Sequence, residues 1–218
     1  MFNSLKSIRL ISLIVCILSA FTAQAKVISM SVAEIKGETV TSREVNINLL
    51  VEQALYPRKK EVKWPFDLKS KFYVSEVNRV LIERIVSLEG ESFSIVKIGK
   101  KEVLLAKKEL ARSLFKKRKW RELQVEDKEL RSLLRRKIIS KKFIQFKANS
   151  SVTPIMDFEV KKYFNDNKNK FGDLPFSQFE ENIKTYLKKQ QLDDRLKNWL
   201  QVLQVKYKVK NLLISNTY

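Results

Sequence analysis

Apolar residues at Phe179, Ile183, Tyr186, Leu187, Leu196, Trp199, Leu200 and Leu203 recur mostly three or four positions apart, the spacing of one face of an α-helix. No Gly or Pro interrupts residues 176–206, and Pro175 stands where a first helical turn accepts it. A helix of roughly thirty residues would reach about 45 Å at 1.5 Å per residue. Tyr207, Lys208, Val209 and Lys210 then alternate as a short strand would. Little chain follows to cover the apolar face of such a helix, so the cover must come from upstream.

Upstream, the pattern alternates through Ile28, Met30 and Val32 to Lys36-Gly37-Glu38, predicting a strand, a tight turn and a return strand through Val40. Thr41-Ser42-Arg43-Glu44 reads as a capping box. It opens a helix over 42–55 with Val45, Leu49 and Ala54 or Leu55 inward, which Pro57 stops. A basic connection over 58–65 carries Trp64. Asp67 then caps a helix reaching Leu88, with Val74, Val77, Leu81, Ile85 and Leu88 on one stripe and Gly90 closing it. Residues 92–98 read as an extended linker or a weak strand. Further helices are expected over 101–117, carrying Leu104, Leu105, Leu110, Leu114 and Phe115, and over 126–147, with a break at 121–124. In the second of these Leu130, Leu134, Ile138 and Ile144 are expected inside, and Arg131, Arg135, Arg136, Lys141 and Lys142 opposite. Pro154 suits the first turn of a helix running to about 169 through Phe158, Val160, Tyr163 and Phe164. The expected class is mainly α with a minimal antiparallel sheet joining both chain ends.

The first 25 residues change the picture of where such a chain works. Lys6 and Arg9 precede an apolar run from Leu10 to Leu18, and Ala23-Gln24-Ala25 has the small-x-small form of a cleavage site. We read 1–25 as a signal peptide cleaved after Ala25, and 26–218 as a single domain exported to the periplasm. Val15 before Cys16 is too bulky for a lipoprotein anchor site. Cleavage leaves 193 residues, a net charge of +18, no cysteine and no histidine.

That inventory sets most enzyme classes aside. Without His or an exported Cys, the usual triads, Cys–His pairs and soft metal sites have no residues. The four glycines, at 37, 90, 99 and 172, form no phosphate loop. Glu180-Glu181 and Asp193-Asp194 are adjacent carboxylates on a helix, where neighbours diverge by about 100° and do not converge on one substrate atom. No catalytic residue, metal ligand or cofactor is assigned.

Three stretches, in order, resemble the periplasmic SurA-like chaperones and the related foldase PrsA. The first is the segment from Val32 through Gly37 and the Thr41–Glu44 cap to Val45. The second is Leu81-Ile82-Glu83-Arg84-Ile85-Val86. The third runs from Val152-Thr153-Pro154 through Glu159-Val160-Lys161-Lys162-Tyr163-Phe164 to Asn167-Lys168-Asn169-Lys170-Phe171. The closing helix is similar too, with Phe179-Glu180-Glu181 near its start and Trp199-Leu200 towards its end. In isomerase-bearing relatives a parvulin domain lies before that final helix; here only Gly172 to Pro175 intervenes, and no histidine matches the parvulin site. The resemblance thus implies the chaperone body without the isomerase. Such a body is a cradle that holds unfolded, outer-membrane-type polypeptides without ATP.

Trp64, Phe66 and Trp120 are the expected client-binding aromatics, because they lie at element ends or in polar connections rather than on buried stripes. The net charge is expected to serve a solvated surface, acidic clients or an anionic envelope surface; the export signal argues against nucleic acid. The alternative function is a basic structural or adaptor protein of the envelope.

Overall fold

A computed structural model of the chain describes residues 29–57, 64, 66–94, 97–150 and 153–214. The signal segment and the start of the first strand lie outside the described residues, as does most of the 58–65 connection. The described chain is mainly α: strands β1 (Ser31–Ile35) and β2 (Glu38–Thr41) lead into α1 (Ser42–Leu55), α2 (Lys71–Ser92), α3 (Lys100–Ser113), α4 (Arg118–Glu122), α5 (Asp127–Ser150), α6 (Asp157–Asp166) and α7 (Glu180–Lys206), and β3 (Lys210–Asn211) follows.

The small sheet has the order β2-β1-β3 and is antiparallel throughout. Lys36 and Gly37 both take positive φ, 53° and 84°, the geometry of a two-residue hairpin turn that glycine adopts without steric cost. On its other edge β1 pairs Ala33 with Asn211 and Glu34 with Lys210. The Lys36 amide donates to the Tyr207 carbonyl at 2.9 Å and the Leu212 amide to that of Val32 at 3.0 Å. The two ends of the described chain therefore share one sheet, as the alternation at both ends implies.

Capping explains where the helices begin, with two corrections to the sequence reading. At α1 the Glu44 amide donates to Thr41 Oγ1 at 3.2 Å, but the Glu44 carboxylate, expected to turn back on the cap, instead meets Arg84 and Arg136. At α2 the cap is Ser70, whose Oγ accepts from the Tyr73 amide; Asp67 forms the turn before it, accepting from the Lys69 amide. Gly90 does not close α2 but lies within it. A Cβ there would stand 3.0 Å from Ile139 Cγ2 and 3.2 Å from Phe143 Cβ, so the glycine is what lets α5 cross so closely. The buried stripe of α2 runs through Tyr73, Val77, Val80, Leu81, Ile85 and Val86, leaving Leu88 exposed and Val74 only half-buried. α3 stops short of residue 117 because the chain turns back and stacks Phe115 on Trp120, 5.9 Å between centroids.

Apolar burial falls into three clusters. One joins the sheet, α2, Phe143 of α5 and the end of α7 through Leu203 and Tyr207. A second gathers α1, α3, α4 and the first half of α5. The third is aromatic: Phe164, Phe171, Phe176 and Phe179 close around Ile155, Val160 and Ile183 where α6 meets the start of α7. The long helix thus gives Ile183 and Leu187 near its start to one core and Trp199, Leu200 and Leu203 near its end to another, while Tyr186 stays half exposed. No helix among the described residues is long and apolar enough to cross a membrane.

Candidate functional site

An open cleft of about 510 Å3 lies between α1, α2, α3 and α5, within the ~300–1,000 Å3 range of ligand clefts. Its walls are apolar: Leu55 from α1, Ile82 from α2, Ala106 from α3, and Leu134, Ile138 and Ile144 from α5. Tyr56 stands at its mouth, exposed, with Lys141 Nζ 5.9 Å from the ring centroid.

Beneath the cleft runs a ladder of alternating charge. Glu38 meets Arg84 at 3.0 Å and Arg84 meets Glu44 at 3.5 Å. Glu44 lies 2.9 Å from Arg136, and Arg136 Nε donates to Glu83 at 3.1 Å. Glu83 in turn accepts from Lys137 Nζ at 2.7 Å, and Lys137 reaches Glu52 at 2.6 Å. Glu83 is 9 % exposed, and a carboxylate so withdrawn from water is tolerable only with partners. It has two cations and the Asn48 amide, 3.4 Å away. The ladder fixes β2, α1, α2 and α5 to one another and so sets the width of the cleft. Arg136, expected on the solvent face of α5, is turned inward because three glutamates from other elements await it and its neighbour.

A second apolar surface lies on the other flank of α5. Phe93, 58 % exposed, stacks on buried Phe143 at 5.9 Å, and exposed Phe146 does so at 6.0 Å. Trp199 closes the group edge-on at 5.8 Å.

The three aromatics singled out from sequence lie elsewhere. Trp120 is 7 % exposed, inside the second cluster, so the exposure expected of it is not found. Trp64 is half-buried against that same cluster, and its Nε1 donates to Glu122 Oε2 at 3.2 Å. Phe66 packs edge-on against Trp64 at 4.9 Å and beside Tyr73 at 6.3 Å. Together Trp64 and Phe66 bridge two cores. Sequence position at an element end misled here, because large rings at such places are what seal the rim of a core.

Charge is likewise less evenly spread than the helix faces suggest. Residues 97–150 hold 19 basic against 6 acidic side chains, a net +13, whereas 155–194 hold 7 against 8. Counting charge by segment would have found this. Among the described residues no group of three or more acidic, His or Cys side chains could hold a metal ion.

No family model matches the chain, and no curated protein matches it.

Proposed function

We propose that this protein is an ATP-independent periplasmic chaperone, a SurA-like body without a parvulin domain, that holds unfolded or outer-membrane-type polypeptides and catalyses no isomerisation. The observation that carries the reading is the open, apolar-walled cleft over a charge ladder. An extended segment can place aliphatic or aromatic side chains against Leu55, Ile82, Ile138 and Ile144, while Arg79, Glu109 and Lys141 at the lining meet its peptide groups. Burying one such side chain contributes roughly 1.5–3 kcal/mol, and micromolar holding needs about 8 kcal/mol. The cleft alone therefore gives modest affinity, which suits release without nucleotide, and the Phe93–Phe146 surface adds a second contact for a long client. The ordered resemblance and the export signal support the same reading.

The test is dilution of a chemically unfolded, aromatic-rich outer-membrane-type polypeptide into buffer without nucleotide, followed by light scattering. The protein should suppress aggregation. Ile82→Asn with Ile144→Asn should need about tenfold more protein for the same effect while keeping its helical circular dichroism. No suppression by the parent protein, or full suppression by the folded double variant, would overturn the assignment.

The concentration of charge in 97–150 favours a second reading, a basic adaptor that binds acidic partners or the envelope surface. Under it, client binding would vanish with salt and survive the cleft substitutions.

A further inference from the structure

The outer face of α3 carries two leucines that no element covers. Leu104 is 60 % and Leu105 67 % exposed, and both sit among cations on the same helix. Lys101, Lys108 and Arg112 follow Leu105's stripe at helical spacing, and Lys100 lies one turn before Leu104. These four cations have no carboxylate partner among the described residues. By contrast Lys107, on the inner side, and Arg131 of α5 share Asp127, so part of the charge near this face is neutralised internally and part is left outward.

Beside Leu104 a further cavity of about 440 Å3 opens between the start of α3 and α5. Its lining pairs apolar Ile98, Val103 and Leu104 with cationic Lys100, Arg131 and Arg135, while Arg135 approaches Glu91 no closer than 3.6 Å. An apolar floor rimmed by cations fits a ligand with an anionic head and an aliphatic body.

We propose that this face of α3 docks on an anionic phospholipid bilayer, with Leu104 and Leu105 entering the boundary between headgroups and acyl chains and Lys100, Lys101, Lys108 and Arg112 meeting the phosphates. A helix lying in the interface in this way shows apolar residues flanked by lysines on one surface. Charge complementarity decides the occupant: α3 itself holds five basic residues against two acidic ones, Glu102 and Glu109, and each basic residue near an anionic surface adds attraction that falls off within a Debye length. Two leucines alone give too little apolar area for lasting attachment, so the charges and the leucines act together. The cleft takes Ala106 and Glu109 from α3 but neither Leu104 nor Leu105, so attachment does not require the holding activity.

The experiment uses protein purified after export, its N-terminus read by mass spectrometry. It is mixed with vesicles of phosphatidylglycerol and phosphatidylethanolamine, or of phosphatidylcholine alone, and bound protein is measured by flotation. Binding to the anionic vesicles and not to the neutral ones is expected. Lys101→Gln with Lys108→Gln and Arg112→Gln should weaken it about fivefold per charge, and Leu104→Ser with Leu105→Ser by tenfold or more. Since the only cysteine is Cys16, Leu105→Cys in exported protein cleaved after Ala25 takes a single environment-sensitive dye, whose emission should shift to the blue on anionic vesicles. Equal binding to both vesicle types, or no loss in the folded leucine variant, would overturn the proposal. So would failure to bind anionic vesicles together with tight binding to a polyglutamate peptide, which would make the face an acidic-protein surface.

Discussion

Replacing Glu83 with Gln removes one negative charge from the middle of the ladder and changes almost nothing in volume. In the parent protein Glu83 Oε1 faces Arg136 at 3.1 Å and Oε2 faces Lys137 at 2.7 Å. Removing one partner of a fully buried pair costs about 3–5 kcal/mol, because the other charge is stranded. Here neither cation is stranded: Lys137 keeps its hydrogen bond to Glu52, and Arg136 keeps Glu44 as an ion pair, though without hydrogen-bond alignment. The Gln carbonyl can also still accept one hydrogen bond. The loss should therefore be about half the stranded value, roughly 2 kcal/mol, or about 4–8 °C in Tm for a domain of this size. Thermal unfolding followed by circular dichroism measures it, and high salt should not erase the difference, since Glu83 and Lys137 are both largely withdrawn from solvent ions. A Tm within about 1 °C of the parent would refute the ladder as a structural element, and with it the argument that it sets the cleft width.

Three further outcomes follow from particular contacts. Gly90→Ala gains about 1 kcal/mol in helix propensity but forces a methyl against Ile139 and Phe143, at about 1–3 kcal/mol; since Phe143 Cβ is fixed to the α5 backbone, net destabilisation is expected, and a raised urea midpoint would contradict the close crossing. Burial pushes the Glu89 carboxyl up, yet hydrogen bonds from Lys206 and Tyr207 and the charges of Lys206 and Lys147 together hold it below the ordinary Glu value of 4.5. Its folded value being the lower, its stabilisation is present above 4.5 and is lost as pH falls through the folded value; the stability gap between parent and Glu89→Gln should close over that acid range, and a gap constant with pH would contradict a stabilising role for the Lys206 and Tyr207 hydrogen bonds to Glu89. Purified protein should leave the rate of prolyl isomerisation in a short peptide unchanged, and acceleration abolished by one surface substitution would overturn the non-catalytic reading.

Local signals carried the fold well and the site poorly, for a physical reason. The hairpin at Lys36-Gly37, the Thr41 cap and the uninterrupted run into Lys206 each depend on neighbours within a few residues, so each is legible in the chain. The cleft depends on residues brought together from 52 to 144, and no local pattern records that meeting. Arg136 looks like a solvent marker on α5 until Glu44 and Glu83 arrive from elsewhere. Gly90 looks like a helix stop until Phe143 is packed on it. Trp120 looks exposed beside a helix break, whereas it lies within α4 and its ring is buried against Phe115. Leu104 and Leu105 look like part of an ordinary apolar stripe, and only packing reveals that α3 buries Leu110 on one side and presents these two to solvent.

The central claim, that the cleft holds unfolded polypeptide, is tested most directly by photo-crosslinking from inside it. A photoreactive side chain at Ile138 faces the cleft, and one at Val202, exposed on α7, serves as the comparison. With an unfolded aromatic-rich polypeptide and no nucleotide present, illumination should join the polypeptide to position 138 and leave position 202 largely unlinked. The signal at 138 should disappear once the polypeptide has folded. Equal crosslinking at both positions, or none at 138 while aggregation is still suppressed, would contradict the cleft as the holding site.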